Sequence, residues 1–180
     1  MQMDALKAIE KRHTVRSYQS KCVPYGIIKK IIAAAVKAPS SMNKQPWHFI
    51  VVNKKETKTK IRGLYDQARK ELNYYMQDTV FMENGTLIVI CCNSMENDQC
   101  YSCIMAAQNM LLTATALGLG SGPSITIFQS REGAKKLRHL LKIPKNIVPL
   151  LIVTMGYANK KNAPHKKRKA LKQILHWNHW

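Results

Sequence analysis

The segment Ala38-Pro39-Ser40-Ser41-Met42-Asn43-Lys44-Gln45-Pro46-Trp47-His48-Phe49 lies between two stretches with opposite periodicity. Before it, Ile27, Ile28, Ile31, Ile32, Ala35 and Val36 form one stripe at helical spacing. This predicts a helix from about Pro24 to Ala38, begun by one proline and stopped by Pro39. After it, Trp47–Asn53 is β-prone. Ser40–Gln45 is then a polar loop bounded by prolines, presenting hydroxyls and amides between a helix and a strand.

Working outward, Asp4 can cap a short helix carrying Ala5, Leu6 and Ile9, and Thr14–Tyr18 is short and β-prone. Glu56 to about Met82 reads as helix, with a possible break near Gly63. Gly85 opens a buried strand, Leu87–Cys92. A long helix follows from about Asp98 to Leu117, with Ile104, Ala107, Leu111, Ala114 and Leu117 on one face and Gly118 ending it. Ser130 caps a helix to about Leu141, and Ile147–Met155 is a last buried strand. A short amphipathic piece near Ala170–His176 closes the basic tail. The order α-α-β-α-β-α-α-β implies an α/β or α+β domain with a sheet that is small for 180 residues. No repeat or linker divides residues 1–180, so a single domain is expected.

The chain carries 29 Lys+Arg against 10 Asp+Glu, a net charge of +19. The charge is uneven, with no acidic residue after Glu132 and twelve Lys/Arg beyond it. An excess of this size points to an anionic partner: nucleic acid, a membrane surface, or a phosphate-bearing ligand. No apolar run approaches the ~20 residues of a membrane span. Met1-Gln2-Met3-Asp4 has no basic-then-apolar leader character, so a cytoplasmic, non-membrane protein is expected. Five cysteines (Cys22, Cys91, Cys92, Cys100, Cys103) are an odd number that fits reduced thiols better than a disulfide framework.

Gly118-Leu119-Gly120-Ser121-Gly122 resembles a nucleotide loop but follows a helix instead of a strand, so a helix C-cap competes with that reading. No P-loop sequence is present. Cys100-x-x-Cys103 lacks a second ligand pair and fits one helix face, and no metal site is expected. Carboxylates are too few to staff paired acid/base chemistry, so any enzymatic chemistry would fall to a cofactor. Three stretches gather groups suited to a small anionic ligand: Arg12-His13-Thr14-Val15-Arg16, the Pro39–Trp47 loop, and Lys166-x-Arg168.

In this order, those stretches resemble the FMN-dependent nitroreductase family. Arg12-His13-Thr14-Val15-Arg16-Ser17-Tyr18 resembles its N-terminal flavin segment. Ala38–Phe49 is similar to its most distinctive motif. Ala116-Leu117-Gly118-Leu119-Gly120-Ser121, Met155-Gly156-Tyr157 and Lys166-x-Arg168 complete the pattern. The resemblance implies a three-layer α/β/α form of the α+β class, with a central mixed, mainly antiparallel sheet. It also implies a homodimer with C-terminal tails exchanged and FMN sites at the interface.

By the same resemblance, Arg12, Lys166 and Arg168 hold the FMN phosphate with His13 and Thr14 beside them, and Arg16 lies near the flavin N1/O2 edge. Pro39, Ser40, Ser41, Asn43 and Gln45 belong to the loop that reaches the cofactor from the other protomer. The backbone at Ser121 and Gly122 faces the ring. No side chain is catalytic in its own right. NADH or NADPH delivers hydride to the flavin, which reduces a small electron-poor acceptor such as a nitroaromatic or quinone. The chain departs from many relatives at Gly122-Pro123-Ser124, where those carry a small residue or Cys and then an aromatic. It is also short. The competing reading is a basic module that binds nucleic acid or an anionic surface without redox turnover, whereas the resemblance implies no specific nucleic-acid partner.

Overall fold

Aliphatic and β-branched runs build the centre of the molecule. A computed structural model describes residues 4–75, 78–159 and 167–180. Among these, β1 (Trp47–Val52), β2 (Thr86–Cys92), β3 (Gly120–Ser124) and β4 (Val148–Gly156) form one sheet in the order β1-β2-β4-β3. All three ladders are antiparallel. The parallel component among the described residues is a single bridge from Thr14, which lies outside the strands, to Ser121 of β3.

Every residue of β2 is buried, because its alternate side chains face two different helical layers. Ile88, Ile90 and Cys92, with Leu151, Val153 and Met155 of β4, pack on α2 (Tyr25–Ala35) and α5 (Asn97–Ala116). Leu87, Val89, Cys91 and Ile152 face the other way. They meet α3 (Lys55–Glu71), α4 (Phe81–Asn84), α6 (Thr126–Gln129) and α7 (Gly133–Leu141). The result is the expected three-layer α/β/α arrangement. A short α1 (Ala5–Lys11), begun by Asp4 accepting from the Leu6 N–H at 3.4 Å, lies on α5.

Three sequence expectations change. The helix from Glu56 ends at Glu71, and the chain turns helical again only at Phe81–Asn84. Gly63 does not break it: nothing stands within 4 Å of where its Cβ would be, so the exposed helix runs through. On α5 the buried face is Cys103, Ala106, Ala107, Met110, Leu111 and Ala114, whereas Ile104 and Leu117 point outward. Finally, Gly118 does end α5, at φ 77°, but Gly120–Ser124 is a strand and no nucleotide loop. Gly-Ser-Gly-Pro-Ser has almost no intrinsic β preference. It forms a strand because it lies at a sheet edge, where Pro123 needs no inward donor and small residues let another segment approach.

That segment is residues 12–18. The Val15 N–H donates to the Ser121 carbonyl at 2.9 Å. The buried Tyr18 hydroxyl donates to the Val15 carbonyl at 2.7 Å and stands 2.9 Å from Thr154 Oγ1, which lies 3.2 Å from the Gly122 carbonyl. Burial raises the Tyr18 pKa, so the phenol stays a proton donor. Tyr18→Phe leaves the Val15 carbonyl without this partner in a buried place. The expected cost is about 1–3 kcal/mol, read from the urea unfolding midpoint of variant against parent.

Candidate active site

Arg12 and Arg16 flank Thr14, whose backbone bridges Ser121. Arg12, His13 and Thr14 are half-buried and Arg16 is exposed. His13 Nδ1 lies 3.1 Å from the Lys11 carbonyl. None of the ion pairs among the described residues involves Arg12, Arg16 or Arg168. Cations left without carboxylates suit an external anion. The Ser121 hydroxyl is buried and has no hydrogen-bond partner among the described residues. A buried polar atom of this kind costs free energy until a ligand or water satisfies it.

The Ser40–Gln45 loop is the second cluster. Ser41–Asn43 forms a single 3-10 turn. Met42, Asn43 and Gln45 have φ of 51°, 53° and 47°. Left-handed non-glycine residues cost on the order of 1 kcal/mol each and gather at functional sites. Several contacts hold the loop, among them the Asn43 N–H donating to the Ser40 carbonyl at 3.0 Å and Gln45 Nε2 donating to the Asn43 carbonyl at 3.4 Å. The Gln45 N–H donates to Ser40 Oγ at 3.1 Å, and Lys44 Nζ donates to Asp98 Oδ2 at 3.1 Å at the start of α5. The Lys44 bond keeps the Asp98 carboxyl below the usual aspartate range. A lowered carboxylate pKa means that this tether contributes above the ordinary aspartate pKa. It is lost as pH falls through the lowered value. Pro39, Ser41, Asn43 and Gln45 are exposed, and Ser40 is half-buried.

The two clusters occupy opposite corners of one chain. Trp47, directly after the loop, pairs with Cys92, which pairs with Val148. Ser121 pairs with Met155, which pairs with Thr86 at the far end of β2. That is about 20 Å along the strands and about 14 Å across them, or roughly 25 Å. The structure therefore brings Arg12, Thr14, Arg16, Ser121 and Gly122 together, and it does not bring Ser40, Ser41, Asn43 and Gln45 to them. Arg168 is exposed in the C-terminal segment, and Lys166 lies outside the described residues.

The model of the Nitroreductase family matches residues 9–157, spanning both clusters. The chain belongs to the nitroreductase family. It is an oxidoreductase with the nitroreductase fold. It is 32% identical over 159 residues to a protein of Methanothermobacter thermautotrophicus provisionally named NADH dehydrogenase/NAD(P)H nitroreductase, covering 86% of this chain and 78% of that one. It is 28% identical to iodotyrosine deiodinase 1 of Mus musculus, covering 93% of this chain and 67% of that one. Among solved structures, an FMN-dependent nitroreductase from Clostridium difficile superposes with a TM-score of 0.82 at 27% identity, covering 97% and 99% of the two chains.

In this family member the groups that hold the two clusters in place are ones that sequence reading did not single out. Tyr18 and Thr154 fix the Arg12–Arg16 segment, and Asp98 tethers the Ser40–Gln45 loop. The alternation Gly120-x-Gly122 was the available signal for the first, since paired small residues on a strand mark close backbone approach. Nothing local marked Asp98.

The cysteines form a separate group. Cys92 and Cys103 are buried and Cys100 is half-buried. Burial, reinforced by neighbouring thiols, pushes the Cys100 and Cys103 pKa values up, and burial pushes Cys91 up to about 11. Protonated thiols are poor nucleophiles. A Cys100→Ala, Cys103→Ala double variant is expected to keep NADH-dependent menadione reduction within about 3-fold of parent, since buried thiols act as small apolar groups. Lost turnover at unchanged flavin content would give the pair a redox role instead. Among the described residues no three His, Cys, Asp or Glu groups converge to hold a metal ion.

Proposed function

We propose that the chain is an FMN-dependent NAD(P)H oxidoreductase that works in the cytoplasm as a homodimer with shared sites. Residues 1–180 would be one FMN-binding domain. The observation that carries this reading is the roughly 25 Å between two anion- and amide-rich clusters on one chain. One protomer's Arg12–Arg16 segment and its partner's Ser40–Gln45 loop can meet only across an interface. An apolar surface suited to that interface is present: Tyr101 is 60% exposed, Ile104 52% and Leu6 69%, on the adjoining helices α5 and α1. Such a patch on a lone chain marks an association surface.

The residues present fit FMN. Arg12, Thr14 and Arg168, with Lys166, supply charge-assisted donors for a phosphate dianion. Arg16 would place a cation beside the ring, and the buried Ser121 hydroxyl, without a partner among the described residues, would be free to meet it. Ser40, Ser41, Asn43 and Gln45 supply hydroxyls and amides from the other protomer. When bound, FMN supplies two-electron chemistry between NAD(P)H and an electron-poor acceptor such as a nitroaromatic or quinone. The chain's own part is to bind, orient and electrostatically tune, which accords with its few carboxylates.

Purified protein is expected to be yellow, to release FMN on heating, and to oxidise NADH or NADPH with menadione as acceptor. A colourless protein that fails to take up added FMN would sink the proposal. Mixing Arg12→Ala and Asn43→Ala protomers should yield heterodimers with one intact site. A monomer keeping full FMN and activity would overturn the shared-site geometry.

A further inference from the structure

We infer that the outer face of α7 and the turn after it form a docking surface for the phosphate backbone of duplex nucleic acid. Residues 131–145 contain six Lys/Arg and one acid, Glu132. Five of the six cations, Arg131, Lys135, Lys136, Lys142 and Lys145, are exposed, and His139 is exposed beside them. The sixth, Arg138, is used internally, donating to the carbonyls of Pro144 and Ile147. It thereby pins the turn that carries Lys142 and Lys145. Lys136 Nζ donates to Gln67 Oε1 of α3 at 3.1 Å, and Lys135 lies 3.6 Å from Glu132. Glu71, whose carboxylate acts on Arg131 and Lys136, accepts from Ser130 Oγ and the Arg131 N–H.

Two features separate this face from an ordinary solvated helix. Lys142 occupies the left-handed position that ends α7, at φ 53°. Glycine is the favoured residue there, so a lysine is held at a conformational cost. The cations are also pre-positioned: Lys135 to Lys142 spans about 10 Å of helix axis, the length of about three phosphates on one strand.

The partner's chemistry follows from what the face lacks. It has no exposed large apolar side chain, whereas a membrane-surface helix needs apolar anchors. Between 131 and 147 it has no Phe, Tyr or Trp, and Tyr74 at its edge has its hydroxyl donating to Gln129 Oε1 at 3.2 Å, whereas single-strand binding relies on a row of stacking rings. What is left is sequence-independent contact with the regular phosphates of a duplex. The face lies across the sheet from α5 and α1, because α7 packs into the Leu137 and Ile143 side of the core. It therefore stays open in the homodimer proposed above, and it does not depend on that proposal.

The test is fluorescence anisotropy of a labelled 30-bp DNA duplex with the full chain at 50 and 200 mM KCl. About four phosphate contacts predict binding on the order of 100-fold weaker at the higher salt. A Lys135→Glu, Lys136→Glu, Lys142→Glu variant should bind at least about 30-fold more weakly at 50 mM. It should keep NADH-menadione turnover within about 2-fold, because exposed surface substitutions away from the site perturb the fold little. A milder Lys135→Gln, Lys136→Gln, Lys142→Gln set should still lose about 10-fold should the reversal variant fold poorly. Absence of duplex binding at 50 mM would overturn the inference. So would undiminished binding by both variants. Preferential binding to phosphatidylglycerol vesicles, lost in the same variants, would reassign the face to a lipid surface.

Discussion

Gly120→Val is expected to cost several kcal/mol of stability and to empty the flavin site. A Cβ at Gly120 would stand 2.9 Å from Cβ, Cγ1 and Cγ2 of Val15, closer than carbon atoms pack. Val15 is buried and its N–H is committed to the Ser121 carbonyl, so it cannot yield without breaking that bond. Overpacking by one methyl already costs about 1–3 kcal/mol, and valine adds two further carbons. The displaced segment carries Arg12, Thr14 and Arg16, so flavin content should fall with stability. Gly63→Ala is the matched control. Nothing lies within 4 Å of its Cβ position, and it sits inside α3, so alanine should stabilise by about 0.5–1 kcal/mol. Urea midpoints and flavin absorbance read both. A Gly120→Val protein with the parent midpoint and full flavin would show that segment 12–18 is not held by that contact.

The second large effect concerns the phosphate. Arg12→Ala and Arg168→Ala are each expected to weaken FMN binding roughly 10- to 100-fold, because a hydrogen bond to a charged group contributes about 1.5–3 kcal/mol. Riboflavin, which lacks the phosphate, should bind the parent poorly and hardly respond to either change. Lys160→Ala and Lys161→Ala, in the same basic tail but outside the motif, should stay within about 2-fold, since an isolated surface charge contributes little. Fluorescence titration of both flavins gives all the numbers. Uniform weakening by every tail substitution would make the tail a diffuse cationic surface and end the clamp assignment.

Much of this architecture could be read from residues. The Ile27–Val36 stripe, the Trp47–Val52 strand and the continuous run Leu87–Cys92 are set by local periodicity, and each forms close to where that periodicity places it. β3 could not be read in this way. Its residues oppose strand formation, and only the partners β4 and segment 12–18, distant in sequence, impose it. The outward turn of Ile104 and Leu117 was hidden for a related reason. α5 mixes apolar and polar residues on every side, with Gln99, Gln108, Asn109, Thr113 and Thr115 among them, so periodicity cannot say which side meets the sheet. The candidate site shows the same division. Motif residues were legible one stretch at a time. Their separation across the sheet, and the Tyr18–Thr154 and Lys44–Asp98 contacts that fix them, depend on chain crossings that no local pattern encodes.

The bridge between Thr14 and Ser121 also has a bearing on handling the protein. It seals the outer flank of β3, a short uncharged strand of glycine, serine and proline whose open hydrogen-bonding groups would otherwise invite another strand. Residues 14–15 thus work as a built-in guard against open-ended edge-to-edge strand pairing. Trimming the N-terminus past Val15 should convert a well-behaved preparation into one that forms high-order species on storage, visible by light scattering. Fusion partners at that end are best joined ahead of α1, leaving the guard in place.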